Sequence, residues 1–147
     1  MRLPLQLIVL MLVMMSNKII AQDVHEITLL VDTKNSVPEE AYELKAGNKT
    51  TVLNSSTQDT FTIFASVGDQ IKWKALSSSQ LDVPVTINHI KYLSGPRIFS
   101  SDLIQGKKLT QATIIRGGSE LYTYQIEFKI GTSAQVHTII SKVRIGD

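Results

Sequence analysis

The sequence predicts an all-β domain, an antiparallel β-sandwich of Greek-key type with about eight strands. Three observations lead to this fold class. β-Branched and aromatic residues come in short runs, clusters of Gly, Ser, Asn and Asp separate the runs, and no long stretch repeats apolar residues with the 3.6-residue period of a helix. Short strands at this spacing, with turn residues between them, are typical of sandwiches and barrels.

Residues 1–21 have the features of a secretory signal peptide. An apolar run follows the charged Arg2, and Ala21 ends an acceptable cleavage site. The run stops before Lys18, which makes it shorter than the about 20 apolar residues that a membrane anchor needs. We therefore expect residues 22–147 to form one secreted or periplasmic domain, without stable membrane insertion once the leader is removed.

Charge and cysteine content restrict the partners and the source of stability. The chain has 15 basic and 13 acidic residues, and removal of Arg2 and Lys18 with the leader leaves 13 of each. A neutral domain lacks the basic footprint used for nucleic-acid binding, so we expect no nucleic acid as partner. Because there is no cysteine, disulfides cannot stabilise the domain, and its core must do so alone.

The first half of the domain contains four predicted strands and one helical turn. Ser36-Val37-Pro38-Glu39 has the form of a capping box with proline in the first turn, which predicts a single helical turn through Tyr42. Gly68-Asp69 predicts a turn between the last two strands. The strands are expected at residues 26–31, 50–53, 60–65 and 70–75.

The second half contains four longer predicted strands and a short one at Ile98-Phe99. Gly117-Gly118 and the segment 131–134 are predicted to be β-hairpin loops. In the first long strand the apolar residues change parity between Ile87 and Ile90, which predicts a β-bulge near Asn88 and His89. The long strands are expected at residues 83–92, 107–116, 120–130 and 136–145.

Strand parity also predicts the core. Alternate residues of a strand face opposite sides of a sheet, so apolar residues of one parity face the interior when polar residues occupy the other. In residues 70–75 and 120–130 the alternation is regular. It predicts as core residues Ile71, Trp73, Tyr122, Tyr124, Ile126 and Phe128.

The stretch from Phe61 to Trp73, with its Gly68-Asp69 turn, together with Tyr122-Thr123-Tyr124 and Val143-Arg144-Ile145, resembles the framework of cupredoxins. In that family a similar pair of strands precedes a first histidine, and a Tyr-x-Tyr strand leads into the remaining copper ligands. Similar turns and a tryptophan strand also occur in immunoglobulin-like domains. The resemblance implies an immunoglobulin-like or cupredoxin-like sandwich.

The copper chemistry of cupredoxins does not follow from this resemblance. A blue-copper site requires a thiolate with two imidazoles, and the chain has no cysteine. Gln125 and Ile126 stand where the thiolate would follow Tyr124. We therefore expect no cofactor.

Candidate residues for catalysis are few. His25, His89 and His137 are the only histidines and lie on three different predicted strands, with His25 near the amino terminus. His89 is the best candidate metal ligand, because a bulge often re-aims a side chain, although a purely structural kink is the alternative. No Gly-x-Ser-x-Gly elbow is present. We therefore expect the protein not to be an enzyme, with a small metal-dependent hydrolase as the third alternative.

The leading hypothesis for function is an exported, non-enzymatic binding or interaction module whose partner is an unidentified protein or glycan. Residues 93–108 form the longest weakly patterned span, and Tyr92, Arg97 and Phe99 are its candidate ligand-binding residues. The guanidinium of Arg97 suits carboxylates. The alternative is that Ile98-Phe99 is an edge strand and Phe99 fills the end of the core.

A carbohydrate-binding or surface-adhesive accessory protein is the second hypothesis for function. It would require at least two coplanar exposed aromatic rings. Asn48 and Asn54 begin N-glycosylation sequons, whose use depends on the source organism.

Overall fold

The computed structural model describes residues 21–34 and 41–146. The expected leader, apart from Ala21, and the Ser36–Glu39 capping box therefore lie outside the described residues. Within the described ranges, no helix has the length and apolar character needed to cross a membrane.

The prediction of an all-β fold is confirmed, and ten strands are present in the described residues rather than about eight. One 3-10 turn, Gln58–Thr60, precedes the fourth strand. The strands are β1 Val24–Val31, β2 Tyr42–Ala46, β3 Thr51–Asn54, β4 Thr62–Ser66, β5 Gln70–Ser77, β6 Val85–Ser94, β7 Leu103–Gln105, β8 Thr110–Thr113, β9 Tyr122–Ile130 and β10 His137–Gly146.

The strands form two mixed sheets. The four-stranded sheet has the order β2-β1-β5-β8, and the six-stranded sheet has the order β3-β4-β10-β9-β6-β7. The expectation of purely antiparallel sheets is wrong at two pairs, because β1 runs parallel to β5 and β4 runs parallel to β10. The turn at Gly68, whose φ of 98° suits glycine, carries the chain from β4 in one sheet to β5 in the other. The two strands on either side of this turn therefore do not form a hairpin.

The inner faces of the two sheets share one hydrophobic core. All six core residues expected from strand parity are buried, none more than 2% exposed. Trp73 on β5 and Tyr124 on β9 join the sheets, because the indole Nε1–H donates a hydrogen bond to the Tyr124 hydroxyl at 3.1 Å. Burial raises the pKa of Tyr124 to about 12, so this hydroxyl remains neutral.

Tyr42, the last residue of the predicted helical turn, lies in a strand. Tyr42 begins β2, where buried Tyr42 and Leu44 alternate with exposed Glu43 and Lys45. This two-residue alternation lets β2 pair with β1, from Ala46 opposite Ile27 onwards. Pairing with β1 and burial of the alternate side chains stabilise this strand.

Two connections differ from the sequence expectation, and two features agree with it. Gly117-Gly118 connects β8 to β9, which lie in different sheets, so it is not a hairpin loop. Ile98-Phe99 is not a strand, and the edge strand of this region is β7 instead. The hairpin between β9 and β10 through Gly131 is confirmed, and so is the bulge in β6, where the register shifts between Ile87 and His89.

Candidate functional site

Arg97 and Tyr92 lie together, but both are engaged in internal contacts. Nε–H of Arg97 donates to the two carboxylate oxygens of Asp102 at 3.0 and 2.9 Å. The guanidinium lies 5.0 Å from the centroid of the Tyr92 ring, whose hydroxyl donates to the Gly95 carbonyl at 2.8 Å. The hydrogen bond to Asp102 raises the pKa of Arg97. A ligand carboxylate would therefore compete with Asp102 for this guanidinium.

Phe99, the third candidate ligand-binding residue, does not share this surface. The side chain is buried and packs edge-on against Trp73 and Tyr122, with ring centroids 5.8 and 5.2 Å away. Its ring is not available to a ligand from outside. The alternative, in which Phe99 fills the end of the core, describes the observed position.

His25 is buried, although its place near the amino terminus suggested a flexible segment. Its Nε2 lies 2.9 Å from Oδ2 of Asp69, and its Nδ1 lies 3.3 Å from the Thr50 hydroxyl. Asp69 also accepts hydrogen bonds from the amides of Ser66 at 2.8 Å and Asp23 at 3.2 Å. The cluster ties the start of β1 to the β4–β5 turn. No sequence spacing reveals it, because His25 and Asp69 are 44 residues apart.

The pKa of Asp69 reflects two opposing effects. Burial acts to raise it, while the hydrogen bonds from His25, Ser66 and Asp23 lower it, and the net result is a pKa below the ordinary aspartate value. Asp69 is therefore ionised at neutral pH. The cluster is a buried, charged, structural connection.

The other two histidines have partners of their own. His89, the expected metal candidate, lies at the bulge with its Nε2 2.5 Å from Oε2 of Glu127. Nδ1 of His137 lies 2.7 Å from the hydroxyl of Tyr42, and its ring stacks on Phe128. The three imidazoles are not brought together. In residues 21–34 and 41–146, no group of three potential metal ligands is close enough to hold an ion.

A cavity lies along β2, the last strand of the four-stranded sheet. It has a volume of about 520 Å³, and we call it the β2 groove. One wall is β2 itself, and the facing wall includes Val52 of β3 and the segment 55–57. Phe61 also lines the groove, and Val52 is 40% exposed. The groove therefore combines an apolar surface with the edge of a strand.

The hydrogen bonds of the β1–β2 pair show which backbone groups face the groove. The amide of Gly47 donates to the Glu26 carbonyl, and the amide of Asp32 donates to the Ala41 carbonyl, both at 2.8 Å. In an antiparallel pair such residues alternate with residues that point away from the partner strand. The backbone groups of Leu44 and Ala46 therefore point into the groove.

These backbone groups give the groove its chemical character. Among the described strands, β2 pairs only with β1. Exposed backbone donors and acceptors at a sheet edge are a template for an added strand. The sequence analysis missed this site, because it placed Tyr42 at the end of a helical turn and assigned no strand to the rest of β2.

Comparisons with known proteins concern the fold alone. No protein-family model matches the chain, and no curated protein matches its sequence. The structure is similar to the inclusion body protein PixA of Burkholderia cenocepacia, with 14% identity, a TM-score of 0.59, and coverage of 88% of this chain and 99% of that one.

A weaker match is the multicopper oxidase McoA of Aquifex aeolicus, with 11% identity, a TM-score of 0.33, and coverage of 86% of this chain and 30% of the oxidase. A match this weak carries no argument, and the resemblance to cupredoxins stays weakly supported. The chain is thus similar in fold to PixA, a relation that leaves its function open.

Proposed function

We propose that this protein is an exported, non-enzymatic interaction module that binds an extended segment of a protein partner along the outer edge of β2, at Leu44 and Ala46. The observation that carries the proposal is the β2 groove, in which the backbone groups of Leu44 and Ala46 face a cavity of about 520 Å³. A peptide in β conformation satisfies such groups through main-chain hydrogen bonds and places alternate side chains on the apolar lining. The domain carrying the groove is proposed to be a Greek-key sandwich of immunoglobulin-like or cupredoxin-like type.

The apolar lining supports a peptide partner. Phe61 and Val52 line the groove, and Leu53 next to Val52 is 52% exposed. β3, on the facing wall, carries no charged side chain, so the charges that line the groove are those of Glu43 and Lys45 on β2. Binding would cover Val52, which is 40% exposed.

The two alternative functions receive less support. A sugar-binding surface needs at least two exposed aromatic rings in one plane. In the part of the chain that the structure describes, Phe64 alone among the aromatic side chains is more than a third exposed. A hydrolase needs converging ionisable groups in a cleft. The charged side chains that line the β2 groove are Glu43 and Lys45, and they pair with each other at 3.4 Å.

The test uses phage-displayed random nonapeptides selected on the full chain. Ala46→Pro removes an amide that faces the groove while leaving the β1 pairing intact, since proline is tolerated at strand edges. Its matched control is Gln111→Pro on β8. Ile114 bonds to Asp69 on the neighbouring segment, and residues that bond to β5 alternate with residues that do not, so the amide of Gln111 also points away from the sheet.

Selected peptides should bind the Ala46→Pro variant about tenfold more weakly, which corresponds to the loss of one hydrogen bond. They should bind the Gln111→Pro variant as they bind the unmodified protein. Equal binding to both variants, at equal melting temperature, would show that the β2 edge is not the binding site.

A further inference from the structure

A second cavity, of about 350 Å³, lies between the end of β5, the start of β6 and the turn that leads into β8. It involves none of the residues of the β2 groove. We call it the lysine cleft and define it by the residues that carry the argument. These are Lys74, Ala75, Val85, Ile87, Lys107 and Lys108.

Every charged side chain that lines the lysine cleft is a lysine. Nζ of Lys74 lies 3.0 Å from Oε2 of Glu26. Lys107 and Lys108 are exposed and, among the described residues, make no ion pair. On a domain with equal numbers of acidic and basic residues, this is a local excess of positive charge, which favours an anionic partner.

The turn that carries the two lysines is held in place. The buried Thr110 hydroxyl accepts a hydrogen bond from the Lys107 amide at 3.2 Å and lies 3.3 Å from the Lys107 carbonyl. The two ammonium groups are therefore presented from a turn fixed at its base. Binding of a partner to these lysines therefore costs less conformational entropy of the turn than binding to a flexible loop would.

The sides of the cleft are open strand edges. β8 pairs with β5 only as far as Thr110 opposite Trp73. The amide of Ile114 donates to the Asp69 carbonyl at 2.8 Å. Every second residue of β5 after Asp69 therefore directs its backbone groups towards the β8 side, and Trp73 is one of these residues. Ala75 is the next one, and because β8 has ended there, its backbone groups face the cleft. Ala75 has no strand partner on this side among the described residues.

The start of β6 presents a second open edge. The amide of Gly131 donates to the Pro84 carbonyl at 2.8 Å, so Val85 points away from β9. The pairing of β7 with β6 begins only at His89. The backbone groups of Val85 therefore also lack a described strand on their outer side.

We infer that the lysine cleft binds an extended peptide segment rich in Asp or Glu, lying beside β5 beyond the point where β8 ends. The lysines would pair with its carboxylates, and Ala75 would hydrogen-bond to its backbone. An anionic lipid chain could neutralise the lysines and cover the apolar lining, but it could not satisfy the backbone of Ala75. The inference rests on residues separate from the β2 groove, so either proposal can fail without the other.

The experiment titrates the isotope-labelled full chain with a capped heptapeptide of alternating Asp and Val, followed by NMR. The control peptide has Lys in place of Asp. The variant pair Lys107→Glu with Lys108→Glu reverses the charge of the cleft. The matched control, Lys129→Glu with Lys142→Glu, makes the same change of charge on the six-stranded sheet.

The acidic peptide should shift the amides of Ala75 and Val85, and reversal of the cleft lysines should weaken its binding at least tenfold. The control pair and the Ala46→Pro variant should leave that binding unchanged. Three results would each overturn the inference: no saturable shift up to about 1 mM peptide, equal binding of both peptides, or lysine-dependent binding to phosphatidylglycerol vesicles without binding to the acidic peptide.

Discussion

At the residue scale, Asp69 has the most specific energetic role. It accepts hydrogen bonds from His25 and from two backbone amides that belong to different segments of the chain. We expect Asp69→Asn to lower the free energy of unfolding at pH 7 by roughly 1–3 kcal/mol, the usual cost of leaving buried polar groups without a full set of partners. Urea unfolding monitored by Trp73 fluorescence measures this difference.

The pH dependence of this effect has a definite sign. The pKa of Asp69 is lower in the folded protein than the ordinary value of about 3.9 that it has when unfolded. Its contribution to stability is therefore fully present above that ordinary value and is lost as the pH falls through the folded-state value. The difference between Asp69→Asn and the unmodified protein should shrink below about pH 4. An exposed control, Asp82→Asn, should show neither effect, and an undiminished difference at low pH would contradict the assignment.

Single-residue burial was more predictable from the sequence than single-residue partners. The alternation along β5 and β9 identifies which side chains face inwards, because parity is a local property of a strand. The partners of Arg97 and His25 depend on how distant segments meet. The sequence could therefore not show that Arg97 pairs with Asp102 or that the ring of Phe99 is buried.

At the element scale, the segment between β6 and β7 closes one region of the core with Phe99. We expect Phe99→Ala to lower the free energy of unfolding by about 3–5 kcal/mol, as large-to-small aromatic substitutions in cores do. Arg97→Ala should lower the free energy of unfolding far less, because its pair with Asp102 is exposed. Thermal or urea unfolding of the two variants measures both values. A normal melting temperature for Phe99→Ala would show that its ring is dispensable to the core.

Elements with a local sequence signal were predictable, whereas strands that depend on pairing with distant strands were not. The bulge in β6 follows from a parity change between Ile87 and Ile90, and the β9–β10 hairpin follows from its turn residues. The start of β2 was not predicted, because Pro38 and Glu39 shortly before it are typical of a helix start. β7 has three residues, too few for an alternating pattern to be seen.

At the scale of the whole molecule, the order of strands decides where partners can bind. Turn chemistry at Gly68 and Gly117 does not reveal whether the chain stays in one sheet or crosses to the other, and both connections cross. In the resulting strand order, β2 lies at one end of the four-stranded sheet, beside the groove, and β8 ends before the end of β5. Neither proposed binding site could have been placed without that order.

The central claim is that a peptide strand pairs with β2 through the backbone groups of Leu44 and Ala46. Amide hydrogen exchange of the full chain, measured by NMR with and without a selected peptide, tests it most directly. Without peptide, the amides of Leu44 and Ala46 should exchange much faster than those of Glu43 and Lys45, which bond to β1. Bound peptide should then protect Leu44 and Ala46. Equal protection of all four amides without peptide, or no gain in protection with it, would contradict the account.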